Sequence, residues 1–197
     1  MSSKLPPTLP LGHALFDTAL GPCGLAWSAQ GLVAVQLPEP TREGTHARML
    51  RHAGPCAEVL APDWPPLARE AAQAIQALLA GQGDQARLLA LPLDMSAVPE
   101  FHRRVYAYVR TIVPGAVSTY GEVARVLGNP QWARAVGQAM GANPFAPVVP
   151  CHRVLAAQGR SGGFSASGGA VTKLHMLTIE GYVPGNEPGG TRSLFAD

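Results

Sequence analysis

The sequence predicts an α+β protein, with a small mixed α/β N-terminal domain over residues 1–96 and a mainly helical domain over residues 97–183 that contains a helix-turn-helix. Three observations predict this class. The first half carries short apolar runs at hairpin spacing, the second half carries apolar residues at helical spacing, and glycine and proline separate these segments. The last stretch, residues 184–197, reads PGNEPGGTRSLFAD and predicts a flexible tail.

The first half holds three predicted elements. Two apolar runs in TALGPCGLAWSAQGLVAVQLP flank Ala29-Gln30-Gly31, which predicts a β-hairpin. Apolar residues on one face of LAREAAQAIQALLAG predict a helix that ends at Gly81. The run LLALPLDM, residues 88–95, is expected to form a strand. No cluster of chemically reactive residues lies in this half of the sequence.

The second half begins with an amphipathic helix, FHRRVYAYVRTIVPG, which residues 114–115 are expected to end. Thr119 and Glu122 then form the T-x-x-E pattern of a capping box, which predicts a short helix that stops at Gly128. A second helix follows after the sequence Gly-Asn-Pro. Two short helices joined in this way are typical of a helix-turn-helix.

The second of these helices carries an unusual surface. Asn129 and Pro130 are expected to cap this helix. Small residues recur every four positions along it, at Ala133, Gly137 and Gly141. One strip of the helix surface therefore has almost no side chains, and Arg134 lies beside it. Each interior glycine costs about 1 kcal/mol relative to alanine, so the strip needs an explanation. It either packs closely against another helix or lies in a nucleic-acid groove with the arginine as a probe. The spacing alone favours neither.

The composition excludes several classes of protein. The 22 glycines and 19 prolines are too few for a low-complexity chain, and no apolar run approaches the roughly 20 residues of a membrane span. The N-terminus has no apolar segment typical of a secretory signal. Three cysteines without a C-x-x-C spacing argue against a disulfide framework or a self-sufficient zinc site. We therefore expect a cytoplasmic protein without a membrane association.

The charge is unevenly distributed along the chain. Residues 1–100 contain six basic and nine acidic residues, whereas residues 101–197 contain nine basic and four acidic ones. The net charge of +5 in the second half indicates an anionic partner, for which nucleic acid is the usual candidate.

Cys151 is the strongest candidate for a reactive residue. It follows a Val-Val-Pro run, where a lone cysteine is usually inert, but His152 and Arg153 come directly after it. A free thiol is only a few per cent ionised at neutral pH, and a nearby histidine or arginine raises that fraction. Adjacent side chains do not normally face each other, so a base role for His152 requires a turn and a bridging water. Otherwise His152 is a surface or capping histidine.

These residues resemble the active-site motif of the O6-alkylguanine-DNA alkyltransferases, the suicide DNA-repair proteins. The resemblance spans residues 119–181 in the order of that family. It includes TYGEVA (119–124), ARAVGQAM (133–140), Asn143-Pro144, PCHRV (150–154), GGFSASGG (162–169) and LHMLTIEG (174–181).

The resemblance implies a role for each catalytic position. Cys151 is the thiolate that takes the alkyl group in a single displacement, and His152 is its base through a water. Glu180, at the end of a predicted helix, orients His152. Asn143 braces the turn that carries the nucleophile, and Tyr120 donates to N3 of the flipped guanine.

The resemblance also implies minor-groove binding by the helix-turn-helix, with flipping of the damaged base. Arg134 is then the finger that fills the vacated place in the base stack. The remaining implied contacts to DNA are Ala133, Gly137, Thr119 and Tyr120, and the base pocket consists of Val154, Ser167 and Pro150.

The implied partner is double-stranded DNA that contains O6-alkylguanine, with O4-alkylthymine as a further substrate. We expect a monomer without a cofactor. Some members of the family have zinc ligands in the N-terminal domain, but Cys23 and Cys56 lack evident histidine partners in the sequence, so we expect no metal.

Three other functions fit parts of the sequence. Alkyltransferase-like proteins recognise the same lesion but lack the nucleophilic cysteine, which is present here as Cys151. A cysteine hydrolase with true turnover does not explain the bare helix with Arg134. A helix-turn-helix transcription factor needs several base-reading side chains, which Ala133, Gly137 and Gly141 do not provide.

Overall fold

The computed structural model describes residues 10–156 and 169–183, in which helices and strands are mixed as predicted. The chain begins with a three-stranded antiparallel sheet of β1 (Gly12–Thr18), β2 (Gly21–Trp27) and β3 (Leu32–Gln36), in the order β1-β2-β3. The predicted hairpin is confirmed as β2–β3. Strand β1 was not predicted, and Cys23 lies within β2.

Two helices come directly after the sheet. The first, α1 (Arg42–Ala53), was not predicted, although Thr41 caps it by accepting a hydrogen bond from the amide of Gly44. The second, α2 (Pro66–Leu79), is the predicted amphipathic helix.

The expectation of a strand at residues 88–95 is wrong for its first part, because Leu88 lies within α3 (Gln85–Ala90). The Asp84 carboxylate accepts from the amides of Ala86 and Arg87 and so starts a helix there. A short apolar run cannot by itself distinguish a strand from a buried helix. Only Leu93 makes a strand-like bridge, to Leu32.

The fourth helix, α4 (Glu100–Val109), ends earlier than the expected stop at residues 114–115, because the chain tightens there into turns in which Thr111 bonds to Tyr108. The helix α5 (Tyr120–Val126) has the predicted capping box: Thr119 accepts from the amide of Glu122, whose carboxylate accepts from the amide of Thr119. A 3-10 turn (Pro130–Trp132) then leads into α6 (Ala133–Gly141).

Two short strands, β4 (Ser118–Thr119) and β5 (Val154–Leu155), pair in parallel. The last described helix is α7 (Ala170–Ile179), and Glu180 follows it as the C-cap residue. Val171 and Leu174 of this helix are 76% and 51% exposed. The face that points inward instead carries Lys173, Met176 and Leu177.

Two large clusters of buried side chains form most of the interior, and a third, smaller cluster joins Ala26, Ala34 and Met49. One lies between the sheet, α2 and α3, and it also includes Val148 and Met176 from the second half of the chain. The other packs α4, α5 and α6 around the segment that contains Cys151. The amide of Val35 in β3 donates to the carbonyl of Pro144 at 2.7 Å, so the two halves are in direct contact.

None of the helices within residues 10–156 and 169–183 is long and apolar enough to span a bilayer. The expected tail at 184–197 lies outside the described residues.

Candidate active site

Cys151 begins a 3-10 turn (Cys151–Arg153) and is 4% exposed. The side chain of Asn143 holds the loop before it. Its Nδ2 donates to the carbonyl of Val149 at 2.8 Å, and its Oδ1 accepts from the amide of Phe145 at 3.0 Å. Asn143 is itself buried, so these bonds fix the backbone that leads into the cysteine. These two bonds suit the brace role that the resemblance implies for Asn143, which stays a prediction.

Burial dominates the electrostatics of the thiol. It raises the pKa of Cys151, and a hydrogen bond with Asn143 and the charge of Lys173 act in the opposite direction. The sequence suggested Arg153 as a source of thiolate stabilisation, but the guanidinium of Arg153 is bound to Glu180. A thiol with a raised pKa needs a base to remove its proton.

His152 and Glu180 form a buried pair. The Nε2 atom of His152 lies 2.9 Å from Oε1 of Glu180, and the two side chains are 0% and 3% exposed. Because a carboxylate only accepts, Nε2 carries the proton, and in the neutral ring Nδ1 is the basic atom. Nδ1 is buried and has no hydrogen-bond partner among the described residues.

Arg153 completes this group. Its Nε and one terminal nitrogen donate to the two oxygens of Glu180 at 2.9 and 2.8 Å, a bidentate pair. Burial alone would raise the pKa of Glu180, but the hydrogen bonds from His152 and Arg153 lower it to about 2. Burial lowers the pKa of His152, and Glu180 opposes that effect. At neutral pH the carboxylate is therefore ionised and positions a neutral imidazole.

The other terminal nitrogen of Arg153 connects the site to the first half of the chain. It donates to the side-chain oxygen of Gln85 in α3 at 3.2 Å and to the carbonyl of Ile112. The amide nitrogen of Gln85 in turn donates to the carbonyl of Arg110. Sequence reasoning missed Gln85, because nothing in its local pattern indicates a partner 68 residues away.

Lys173 is a second residue that sequence reasoning missed. It is 1% exposed, its Nζ donates to the carbonyl of Val154 at 2.6 Å, and it lies 5.7 Å from the centre of the Tyr120 ring. Burial lowers its pKa to about 8, while the nearby Cys151 favours its charged form. Its spacing from Met176 and Leu177, at i+3 and i+4, is the signal that places it on the buried face of α7.

Tyr120 is brought to the same site by the pairing of β4 with β5. Thr119 stands opposite Leu155, so the first residue of α5 follows directly at the nucleophile turn. Tyr120 is partly buried, and burial together with the charge of Cys151 raises its pKa, which keeps the phenol protonated as a donor. Val154 and Pro150 are buried on either side of this turn.

Of the expected DNA contacts, Ala133, Arg134 and Gly137 lie on α6, whereas Thr119 and Tyr120 lie at the start of α5, beside the nucleophile turn. Arg134 is exposed, and a Cβ added at Gly137 or Gly141 would meet no heavy atom within 4 Å in the described chain. Gly137 and Gly141 therefore face open space and do not serve close helix packing, whereas Ala133 at the start of the strip packs against the second core cluster. Ser167, predicted for the base pocket, lies outside the described residues.

Comparison with known proteins gives a consistent result. Residues 100–182 match the family model described as 6-O-methylguanine DNA methyltransferase, DNA binding domain. The chain is 35% identical to a methylated-DNA–protein-cysteine methyltransferase of Mycobacterium leprae, over 83% of this chain and 88% of that protein. It is 31% identical to the protein of the same description from Methanosarcina acetivorans, over 86% and 97%.

Among solved structures, Mycobacterium tuberculosis OGT in complex with DNA superposes with a TM-score of 0.65 at 30% identity, covering 86% of this chain and 92% of that one. The similarity thus extends through both halves of the molecule. Together with the buried Cys151–His152–Glu180 arrangement, it shows that this chain belongs to the family of methylated-DNA–protein-cysteine methyltransferases.

Proposed function

We propose that the protein repairs O6-alkylguanine in duplex DNA by moving the alkyl group onto its own Cys151, once per molecule. Membership in the family gives the class of activity, a DNA-repair methyltransferase. The observation that carries the choice of residue is the His152–Glu180 pair, which is buried directly beside the cysteine and has its basic Nδ1 atom unengaged in the described chain.

The path of the thiol proton follows from the tautomer of His152, which carries its own proton on Nε2. A water between Cys151 and Nδ1 of His152 would pass the thiol proton to the imidazole, and Glu180 would stabilise the imidazolium through Nε2. The sulfur then attacks the alkyl carbon, the bond from that carbon to O6 breaks, and the guanine leaves as an anion. Tyr120, a protonated donor beside the thiol, would stabilise that anion at N3.

The reaction ends with a thioether on Cys151. A thioether is a poor leaving group, so one protein molecule performs one transfer. Intact-mass measurement after incubation with an O6-methylguanine duplex tests this proposal. We expect one added methyl group per protein, located on the peptide that contains Cys151.

Lys173 should support this chemistry through its charge. We expect Lys173→Met to slow the reaction of Cys151 with an O6-alkylguanine free base at pH 7 by about tenfold, corresponding to about 1.4 kcal/mol of lost thiolate stabilisation. Because the pKa of Lys173 is about 8, the wild-type protein loses this charge as the pH rises above 8, and the two rates should converge there. A ratio that stays constant from pH 6 to 10 would show that Lys173 acts only through its bond to Val154.

For DNA binding, we propose that α5 and α6 act as a helix-turn-helix whose bare strip lies in the minor groove. That groove is only about 6 Å wide, so a helix can approach it closely where side chains are absent. Gly137 and Gly141 face open space and provide such a surface, and Arg134 projects beside it. A fixed, buried thiol can reach a base only after the base has left the stack, which Arg134 would favour by filling its place.

Arg134→Ala is expected to slow repair of duplex DNA by about tenfold or more, since extrusion of a base costs a few kcal/mol. The reaction with the free base should stay close to wild type, because Arg134 is exposed on α6, whereas the His152–Glu180 pair is buried. Arg51→Ala, which removes an exposed arginine from α1, is the matched control and should leave both rates unchanged. Equal slowing on free base and duplex would instead place Arg134 in the pocket or in the folding of α6.

The same proposal includes the finer organisation of the molecule: a first domain to residue 96, an alkyltransferase domain over 97–183, a monomeric state, and action in the cytoplasm. O4-alkylthymine is included as a secondary substrate. A binding protein without transfer is the alternative, and the presence of Cys151 at the braced turn favours transfer.

A further inference from the structure

A second cluster of polar side chains lies in the first half of the chain, outside the site that contains Cys151. It consists of His13 in β1, His46 in α1 and Glu58, and the nearest ligand atoms of the three all lie within 4.8 Å of one another. The Nε2 atoms of the two histidines are 2.9 Å apart, and their rings are stacked with centroids at 4.8 Å. His13 is buried and Glu58 is exposed, so the cluster opens to solvent on one side.

Contacts with Cys56 fix the orientation of the His13 ring. Its Nδ1 lies 3.5 Å from the sulfur of Cys56, and the ring also hydrogen-bonds the backbone of Cys56. The opposite nitrogen, Nε2, is thereby directed at His46. A ring held through one nitrogen while the other faces a second ligand is the usual arrangement of a metal-bound histidine.

The spacing of the two histidine nitrogens is close to that required by a small divalent ion, and the carboxylate of Glu58 lies within 4.8 Å of them. With bonds of about 2.0–2.1 Å, a tetrahedral zinc ion separates two histidine nitrogens by roughly 3.3 Å. The observed 2.9 Å would need an outward movement of only a few tenths of an ångström. Glu58 offers the third donor and a negative charge, and the open side leaves a fourth position for water.

The three side chains belong to separate elements that are already in contact. The amide of His13 donates to the carbonyl of Ala57, and the amide of Val59 donates to the carbonyl of His13, so the segment around Glu58 runs along the edge of β1. His46 comes from the helix packed against the sheet. An ion at this point would join β1, α1 and the segment after α1.

We propose that His13, His46 and Glu58 form a structural binding site for a zinc-class divalent transition ion. Imidazole and carboxylate ligands suit such ions, whereas magnesium and calcium prefer sites built from oxygen alone. The expectation that no metal binds rested on Cys23 and Cys56, and neither is a member of this three-residue set. The site is separate from the alkyl-transfer chemistry, so its failure would leave the proposed function intact.

The experiment is a titration of chelator-treated protein with Zn²⁺, followed by calorimetry and thermal unfolding. We expect one equivalent to bind, and a rise in Tm of about 5–10 °C when free zinc exceeds Kd about 100-fold. Mg²⁺ at the same concentration should produce no shift. Co²⁺ should give a visible absorption band typical of a tetrahedral nitrogen and oxygen site, without a strong thiolate band.

His46→Gln and Glu58→Gln are the test variants, since both side chains are at least partly exposed and their replacement leaves the core intact. Each should retain the metal-free Tm of the wild type and bind zinc more than about 100-fold more weakly. His52→Ala, at the exposed end of the same helix, is the matched control and should bind like the wild type. Failure of the wild type to bind one equivalent, or equal affinity in His46→Gln, would overturn the proposal and leave a simple histidine–histidine hydrogen bond.

Discussion

Cys151→Ser is expected to abolish methyl transfer completely while leaving the protein folded and able to bind DNA. Serine fits the same buried turn, but its hydroxyl ionises far less readily than a thiol and is a much weaker nucleophile toward carbon. The measurement is intact mass after incubation with a duplex containing O6-methylguanine. The wild-type protein should gain one methyl group and the variant none.

Cys56→Ser is the matched control, because it removes a second, half-buried thiol without touching the braced turn. It should accept one methyl group like the wild type. Cys23 needs no separate control, since burial raises its pKa to about 12 and keeps it protonated. Repeated turnover by one molecule, or a methyl group mapped to any residue other than Cys151, would contradict the proposed chemistry.

Glu180→Gln is expected to lower the free energy of unfolding by about 3 kcal/mol at pH 7. The substitution is nearly isosteric, but it removes the negative charge that compensates Arg153, whose side chain is 1% exposed. A buried cation without its partner is costly, whereas loss of an exposed ion pair costs at most about 1 kcal/mol. Glu70→Gln, which breaks the exposed pair with Arg87, is therefore the matched control.

The pH dependence of this loss has a defined sign. The pKa of Glu180 falls from 4.5 to about 2 in the folded protein, so the carboxylate stabilises the fold fully above pH 4.5. That contribution disappears as the pH falls toward 2, and the difference between wild type and Glu180→Gln should vanish in the same interval. Urea unfolding between pH 2 and 7 measures it. A difference that persists at pH 2 would show that Glu180 acts through packing and not through its charge.

The same variant should also slow alkyl transfer while DNA binding stays close to wild type. Without the carboxylate, the His152 tautomer is no longer fixed and its protonated form is no longer stabilised, so the apparent pKa of Cys151 should rise. The rate of Cys151 alkylation from pH 5 to 9 reports this change. Superimposable profiles for the two proteins would mean that the thiol is activated by another group, for which Lys173 is then the candidate.

Short-range patterns predicted the second half of the molecule well. The capping box of α5 and the glycine stop after it depend on residues three to nine positions apart, and both are present. The 28-residue separation of His152 and Glu180 could not be bridged by spacing arguments, and only the family resemblance connected them. The structure brings the two side chains into contact.

Other features depend on tertiary contacts that local patterns do not contain. Strand β1 gains its conformation from pairing with β2, and α3 depends on a single capping aspartate before a run that is equally compatible with a strand. Lys173 faces inward because its ammonium group donates a hydrogen bond to the carbonyl of Val154 and is stabilised by the nearby Cys151. A charged residue is normally assigned to the surface, so its apolar neighbours were the only sequence signal.

Gln85 links the first half of the chain to the catalytic half by hydrogen bonds, so the catalytic half is not structurally independent. It belongs to α3, yet it accepts from the guanidinium of Arg153 and donates to the carbonyl of Arg110. The side chain of Arg110 in turn donates hydrogen bonds to the carbonyls of Leu88, Leu89 and Leu91, at the end of α3. A fusion tag or chimaera built from residue 97 onward would therefore sever bonds to the arginine that holds Glu180. Anyone who transplants this active site into another scaffold needs to carry α3 with it.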